Sequence, residues 1–187
     1  GLNFMHLIDH GRSHIEKTYK RPLNERITRT FLSKVLTNSY YFRAISILTL
    51  LVKPFKFFFP KKIKNMISLM PTKFPQKTLP NLRVYKATKR KKPIARVALL
   101  TGCIQKTISP QINEATIRLL NRHGIEVIVS KEVDCCGSLN HHLGKEKIAK
   151  QTFKKNILTW YEEYLNNGLD AIISNTSGCG TTLKAVS

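Results

Sequence analysis

Acidic residues are scarce: 11 Asp and Glu stand against 32 Lys and Arg, giving 187 residues a net charge of +21. That imbalance bears on association with anionic partners, not on the fold. There is no Gly-x-Gly-x-x-Gly turn and no phosphate loop, so neither dinucleotide-linked hydride transfer nor phosphoryl transfer is expected of these residues. No apolar run approaches the roughly 20 residues of a membrane-spanning helix; the strongest, Ala44 to Val52, is stopped by Lys53 and Pro54. The sequence has no signal-peptide pattern, no internal repeat and no helix-turn-helix, zinc-finger or RNA-recognition signature. The basic runs are therefore read as solvated or membrane-facing, with no nucleic acid as partner. Cysteine is sparse too, with four residues in all and no Cys-x-x-Cys pair.

The charge is unevenly placed. Residues 1–96 hold 22 of the 32 basic side chains and 3 of the 11 acidic ones. This half reads as helical, with segments over Phe4 to Tyr19, Pro22 to Leu36 and Tyr40 to Val52. The stretch Phe55 to Lys62 mixes aromatics with cations, which suits an anionic membrane surface, but the simpler and favoured reading is a helix packed on other parts of the same subunit. Pro71, Pro75, Pro80 and Pro93, with the run Lys89 to Lys92, mark a linker. The division is thus a basic helical region over 1–70, a linker over 71–93 and a second domain over 94–187.

That second domain alternates strand and helix. Short buried strands are expected at Arg96–Leu100, Ile125–Val129 and Asp170–Ser174, with helices at Pro110–His123 and about Lys145–Asn167, capped by Gly124 and Gly168. Ile112, Ala115, Thr116, Leu119 and Leu120 are expected to cover the sheet from the first helix. From the second, Ile148, Ile157, Trp160, Tyr161, Tyr164 and Leu165 form the apolar side. The fold class is α/β: a parallel sheet with flanking helices, half of a doubly wound domain with one open sheet edge, preceded by the basic helical region. Cys103, the adjacent Cys135 and Cys136, and Cys179 each fall just after a strand. A parallel sheet brings those ends to one edge, where open α/β sheets bind ligands. Four thiolates gathered there suit zinc or an iron–sulfur centre. The plainer alternative is that each is a small buried hydrophobe. Gly102, Gly137, Gly178 and Gly180 beside them let the backbone approach and offer N–H groups to sulfur. His142, in Asn140-His141-His142-Leu143-Gly144, is a candidate ligand or proton carrier, His141 a weaker one, and Asp134 a charge beside the cysteine pair.

The ordered set Gly102-Cys103, Asn113-Glu114-Ala115-Thr116, Cys135-Cys136-Gly137, Ser177-Gly178-Cys179-Gly180 and Thr182-Leu183-Lys184 resembles a cysteine-rich CCG domain of the kind in the iron–sulfur subunit of bacterial glycolate oxidase (glycolate dehydrogenase). Upstream, Met5 to His10 and Thr18 to Leu23 resemble the segment that follows that subunit's second ferredoxin-type motif. The resemblance implies an internal fragment, lacking the ferredoxin-like region and a second cysteine-rich repeat. It also implies an electron-transfer role, with 4Fe-4S chemistry in the full subunit, FAD on a partner chain, and flavin-containing glycolate oxidase subunits as partners. Cys103, Cys135, Cys136, Cys179, Gly137 and His142 would be the cofactor-binding or metal-binding residues, iron–sulfur standing ahead of zinc by resemblance alone. The setting would be cytoplasmic, with peripheral contact at the inner membrane as an option. A zinc-stabilised docking module of a lactate-utilisation or heterodisulfide-reductase-like complex is the alternative. Heterodisulfide reductase subunits end the motif in Cys-x-x-Cys, whereas Thr176 and Thr182 flank Cys179 here, which favours the glycolate oxidase branch.

Overall fold

The computed structural model describes residues 4–69, 79–88 and 92–186. The basic half is helical: α1 (Phe4–Thr18), α2 (Leu23–Val35), α3 (Ser39–Val52) running into a 3-10 turn at Lys53–Phe58, and α4 (Lys61–Leu69). Asn38 starts α3 by accepting the N–H groups of Tyr40 at 3.0 Å and Tyr41 at 3.1 Å, groups that no preceding turn can satisfy. No single helix among the described residues is long and apolar enough to cross a membrane; α2 with Ser39–Phe58 passes only as a pair bent by 111°. Part of the expected linker, residues 71–78 and 89–91, lies outside the described residues.

A four-stranded sheet follows, built from β1 (Val84–Tyr85), β2 (Ala95–Leu100), β3 (Ile125–Ile128) and β4 (Ala171–Ser174) in the order β1-β3-β2-β4. β2 is parallel to both β3 and β4, with Val97 opposite Val127 on one side and Ala171 on the other. The three expected strands are present, each within one residue of its expected ends. The addition is β1, two residues inside the expected linker, paired antiparallel to β3. β4 is the opposite edge, and its Ile172 is exposed.

Side chains alternate across β2 and build a core on each face. Val97 and Leu99 pack with Val127 and with Ile117 of α6 (Pro110–Arg122). Ala98 and Leu100 pack with Val133, Cys136 and Trp160, the last on α8 (Glu146–Asn167). Helices thus cover opposite faces, as in a doubly wound sheet. An ion network crosses one end: Arg96 pairs with Glu126 at 3.1 Å and Glu163 at 2.7 Å, and Arg83 reaches Glu163 at 3.0 Å.

The inward faces of these two helices differ from the expectation. α6 buries Pro110, Asn113, Glu114 and Ile117, while Ile112, Ala115 and Leu119 are exposed. α8 buries Ala149, Phe153, Asn156, Trp160 and Glu163, leaving Ile157, Tyr161, Tyr164 and Leu165 at the surface. Both helices are apolar over more than one stripe. The inward stripe is the one whose polar members find specific partners, since a buried polar group is tolerated only when bonded.

Candidate metal centre

β2 ends at Leu100, and Gly102 (φ 71) turns the chain so that Cys103 precedes the short α5 (Gln105–Ile108). After β3 the chain passes a bend at Lys131 and Glu132 to reach Cys135 and Cys136, then turns at Gly137 (φ 88) into α7 (Ser138–His142). A side chain is excluded at Gly137 twice over. Its φ lies in the left-handed region, and a Cβ would sit 2.7 Å from Cε1 of Phe153. After β4, Cys179 is the third residue of α9 (Ser177–Val186). β3 and β4 lie on opposite sides of β2, so the loops after β2 and β4 meet at the point where strand order reverses.

The four free thiols meet there as a row. Cys103 lies beside Cys135, Cys135 beside Cys136, and Cys136 beside Cys179. Cys135 and Cys136 are buried; Cys103 and Cys179 are half-buried. The row is electrically polarised. Cys135 and Cys179 lie against Cys136 and the Ser138 N–H donates to its sulfur at 3.4 Å, which together hold the Cys136 thiol well below its usual value. The neighbouring Cys135 also lowers Cys103, whereas the neighbouring sulfurs and burial raise Cys135 and Cys179. The Gly137 N–H donates to the Cys135 sulfur at 3.4 Å. These are the arrangements thiolate ligands need: low-pKa sulfur, backbone donors to it and a covering apolar wall.

Polar side chains hold the three loops in register. Asn113, 6% exposed, donates to the Thr101 carbonyl oxygen at 2.9 Å and accepts from Gln105 and Asn175, both at 2.9 Å. Gln105 also donates to Asn175 at 2.7 Å and accepts from Thr176 at 2.6 Å. Ser138 and Thr182 share a hydrogen bond of 2.7 Å, which ties the Cys135-Cys136 turn to α9. The two threonines at Cys-x-x-Cys spacing from Cys179 are therefore both engaged in holding loops together.

The matched family is the cysteine-rich CCG domain, over residues 97–184. Along 98% of its length the chain is 35% identical to the glycolate oxidase iron-sulfur subunit of Escherichia coli (strain K12), covering 42% of that relative. It is 38% identical over 88 residues to the probable glycolate oxidase iron-sulfur subunit of Bacillus subtilis (strain 168), 47% of this chain and 19% of that one. It is also similar, at 36% over 89 residues, to an uncharacterized iron-sulfur protein of Methanococcus maripaludis, 48% of this chain and 17% of the relative. The chain thus spans less than half the length of these relatives. No solved structure matches it significantly.

Within residues 97–184 the structure places the four cysteines side by side, with Gly137 donating its N–H to the Cys135 sulfur. His142 does not take a place in the row: its Nδ1 lies 2.9 Å from Oδ1 of Asp9 on α1, and His141 Nε2 lies 3.3 Å from Oδ2 of the same carboxylate. Asp134, beside the cysteine pair, holds the Lys106 ammonium and accepts the Ser39 N–H at 2.8 Å. Burial raises its carboxyl, but those two partners outweigh burial and hold it below the usual range. Through it the start of α3 is fastened to the CCG loop. Arg29 adds a bond to the Leu143 carbonyl oxygen at 2.6 Å, and Ser33 one to Asn140 at 2.6 Å.

Sequence reasoning missed Gln105, Asn156, Asn175 and Asp9. Each has a partner 21 to 133 residues away. Asn113 stands out within a motif, but its role as the hub of an amide network needed the fold.

A cavity of about 340 Å³ opens beside the carboxyl ends of β2 and β3, lined in part by Arg43, Lys106, Asn113 and Lys131. None of the four cysteines lines it.

Proposed function

We propose that Cys103, Cys135, Cys136 and Cys179 hold an iron–sulfur centre, and that the chain is an electron-transfer component of an oxidoreductase complex. The observation that carries this is the row of four free thiols at the switch point of the sheet, with N–H groups of Gly137 and Ser138 on two of the sulfurs. A mononuclear zinc site draws four sulfurs at about 2.3 Å from one ion into mutual contact. Here the sulfurs meet pairwise; among the described residues the three or more ligand atoms that lie within 4.8 Å of one another are those of Asp9, His141 and His142. That spread favours a polynuclear centre over zinc. When bound, such a centre supplies one-electron transfer.

The chain's own residues do the rest. Trp160 and Val133 pack against Cys136 on the α8 side, the amide network ties the loop that carries Cys103 to the loop after β4, and the N–H donors stabilise negative charge on sulfur. With 35% identity to a glycolate oxidase iron-sulfur subunit, the finer reading is that a flavin-bearing partner oxidises glycolate to glyoxylate and this chain takes up the electrons. The setting we infer is cytoplasmic, at the inner membrane surface, with Phe55, Phe57 and Phe58 exposed among lysines as the contact.

Iron and acid-labile sulfide assayed in the full subunit, purified anaerobically, test the reading. Stoichiometric iron and sulfide that fall in Cys136→Ser support it. Zinc in their place, or iron unaffected by the substitution, overturns it.

A further inference from the structure

A second group of ligating side chains lies outside the thiol row. The first 96 residues hold only three acids, Asp9, Glu16 and Glu25. Glu16 is taken by Arg21 at 3.3 Å and Arg29 at 2.9 Å, and Glu25 by Arg21. Asp9 instead faces two imidazoles, His141 and His142, reached across 133 residues of chain to His142. Adjacent residues on a helix diverge by about 100°, so two neighbouring histidines rarely serve one point. They do so here by using different atoms, the far nitrogen Nε2 of His141 and the near nitrogen Nδ1 of His142. Phe153, edge-on to His141 with centroids 6.1 Å apart, helps hold that ring in place.

We propose that Asp9, His141 and His142 bind a divalent transition-metal ion of the zinc type. All three ligand atoms lie within 4.8 Å of one another, and a modest contraction brings two imidazole nitrogens and one carboxylate oxygen to the roughly 2.0–2.2 Å such ions require. Two nitrogens and one oxygen suit zinc, cobalt(II) or iron(II) better than magnesium or calcium. The Asp9 side chain is 12% exposed and the rings 29% and 37%. The carboxylate is therefore held from water, while the outer side stays open to complete the coordination shell with solvent. The ion takes the nitrogen lone pairs that face Asp9; a neutral ring presents that lone pair by carrying its N–H on the other nitrogen, so no net proton is released. It would clamp α1 to α7, and so the basic helical region to the turn that carries Cys135 and Cys136. One neighbour opposes it: the Arg12 guanidinium lies 3.3 Å from Oδ1 of Asp9 and competes with the ion.

The test is cobalt(II) titration of the full subunit, purified anaerobically with its thiols loaded, followed by zinc competition. Thiolate-bound cobalt has a sulfur-to-metal charge-transfer band and imidazole-bound cobalt does not, so the spectrum itself says which site fills. The proposal expects one equivalent without that band, displaced by zinc. Binding should weaken tenfold or more in Asp9→Asn, His141→Gln and His142→Gln, and tighten severalfold in Arg12→Ala, with iron and sulfide content unchanged in all four. Absence of a nitrogen-oxygen cobalt site, binding indifferent to Asp9→Asn, or weaker binding in Arg12→Ala overturns it. Because iron and sulfide are read separately, failure here leaves the thiol-centre reading standing, and the reverse holds too.

Discussion

Asn156, in the middle of α8, donates its side-chain N–H to the carbonyl oxygen of Cys135 at 2.8 Å. The asparagine is 2% exposed, so neither group has water as an alternative. Asn156→Leu keeps the volume and orphans the carbonyl, which costs about 1–3 kcal/mol. Urea unfolding should show that loss, and iron content should fall with it because the carbonyl belongs to a proposed ligand. An unchanged midpoint would mean that the bond carries no net stability.

Gly137→Ala adds left-handed strain of about 1–2 kcal/mol to the close contact with the Phe153 ring. The double variant with Phe153→Leu should recover the steric part and not the backbone part. Denaturation midpoints of the two variants, compared with that of Phe153→Leu alone, separate the terms. Full recovery would show that φ is not the constraint.

Asn113→Leu removes the acceptor of Gln105 and Asn175 and the donor to Thr101. The Thr101 carbonyl loses its donor while Gln105 and Asn175 each keep one other partner, so we expect a loss of about 1–2 kcal/mol. The loop that carries Cys103 should loosen as well. Amide hydrogen exchange at residues 101–105 is the direct check, and protection equal to that of the parent would contradict the role assigned to the network.

The Asp134 carboxyl is held below its usual range, so the folded chain keeps it ionised where the unfolded chain begins to take up a proton. Its contribution is full above the unfolded value near 4 and is lost as pH falls through the lower folded value. Stability measured from pH 6 downward should therefore drop more steeply below about pH 4 in the parent than in Asp134→Asn. Parallel curves would show that the Lys106 and Ser39 contacts give no net advantage to the ionised form.

Phe57 and Phe58 are 81% and 83% exposed, and the Lys64 ammonium lies 5.7 Å from the Phe57 ring centroid. Vesicles with anionic headgroups should bind the full subunit in a salt-sensitive manner. The double change Phe57→Ser and Phe58→Ser should weaken binding severalfold. Equal binding to neutral vesicles, or no effect of the double change, counts against a membrane contact there.

The parallel strands and the ends of α6 and α8 were legible because their signals are local: short β-branched and aliphatic runs, Pro110 at a helix start, Gly124 and Gly168 beyond helix ends. The convergence of the cysteines followed from topology alone. β1 was hidden because two residues carry no periodicity, and Val84 and Tyr85 become a strand only when β3 offers an edge. The inner faces of α6 and α8 were misjudged because Ile112, Leu119, Ile157 and Tyr161 outrank Asn113, Glu114 and Asn156 in apolarity. What decides the buried stripe is whether each polar group finds a partner, and those partners lie on other elements. The same non-locality concealed Asp9, whose histidines lie on α7 near the far side of the sequence.

The central claim is that the thiol row is a redox centre. Electron paramagnetic resonance of the anaerobically purified full subunit, recorded during a potentiometric titration, tests it most directly. The account predicts a signal that appears and disappears reversibly with potential and is lost in Cys136→Ser. Tightly bound zinc with no signal at any potential would contradict it.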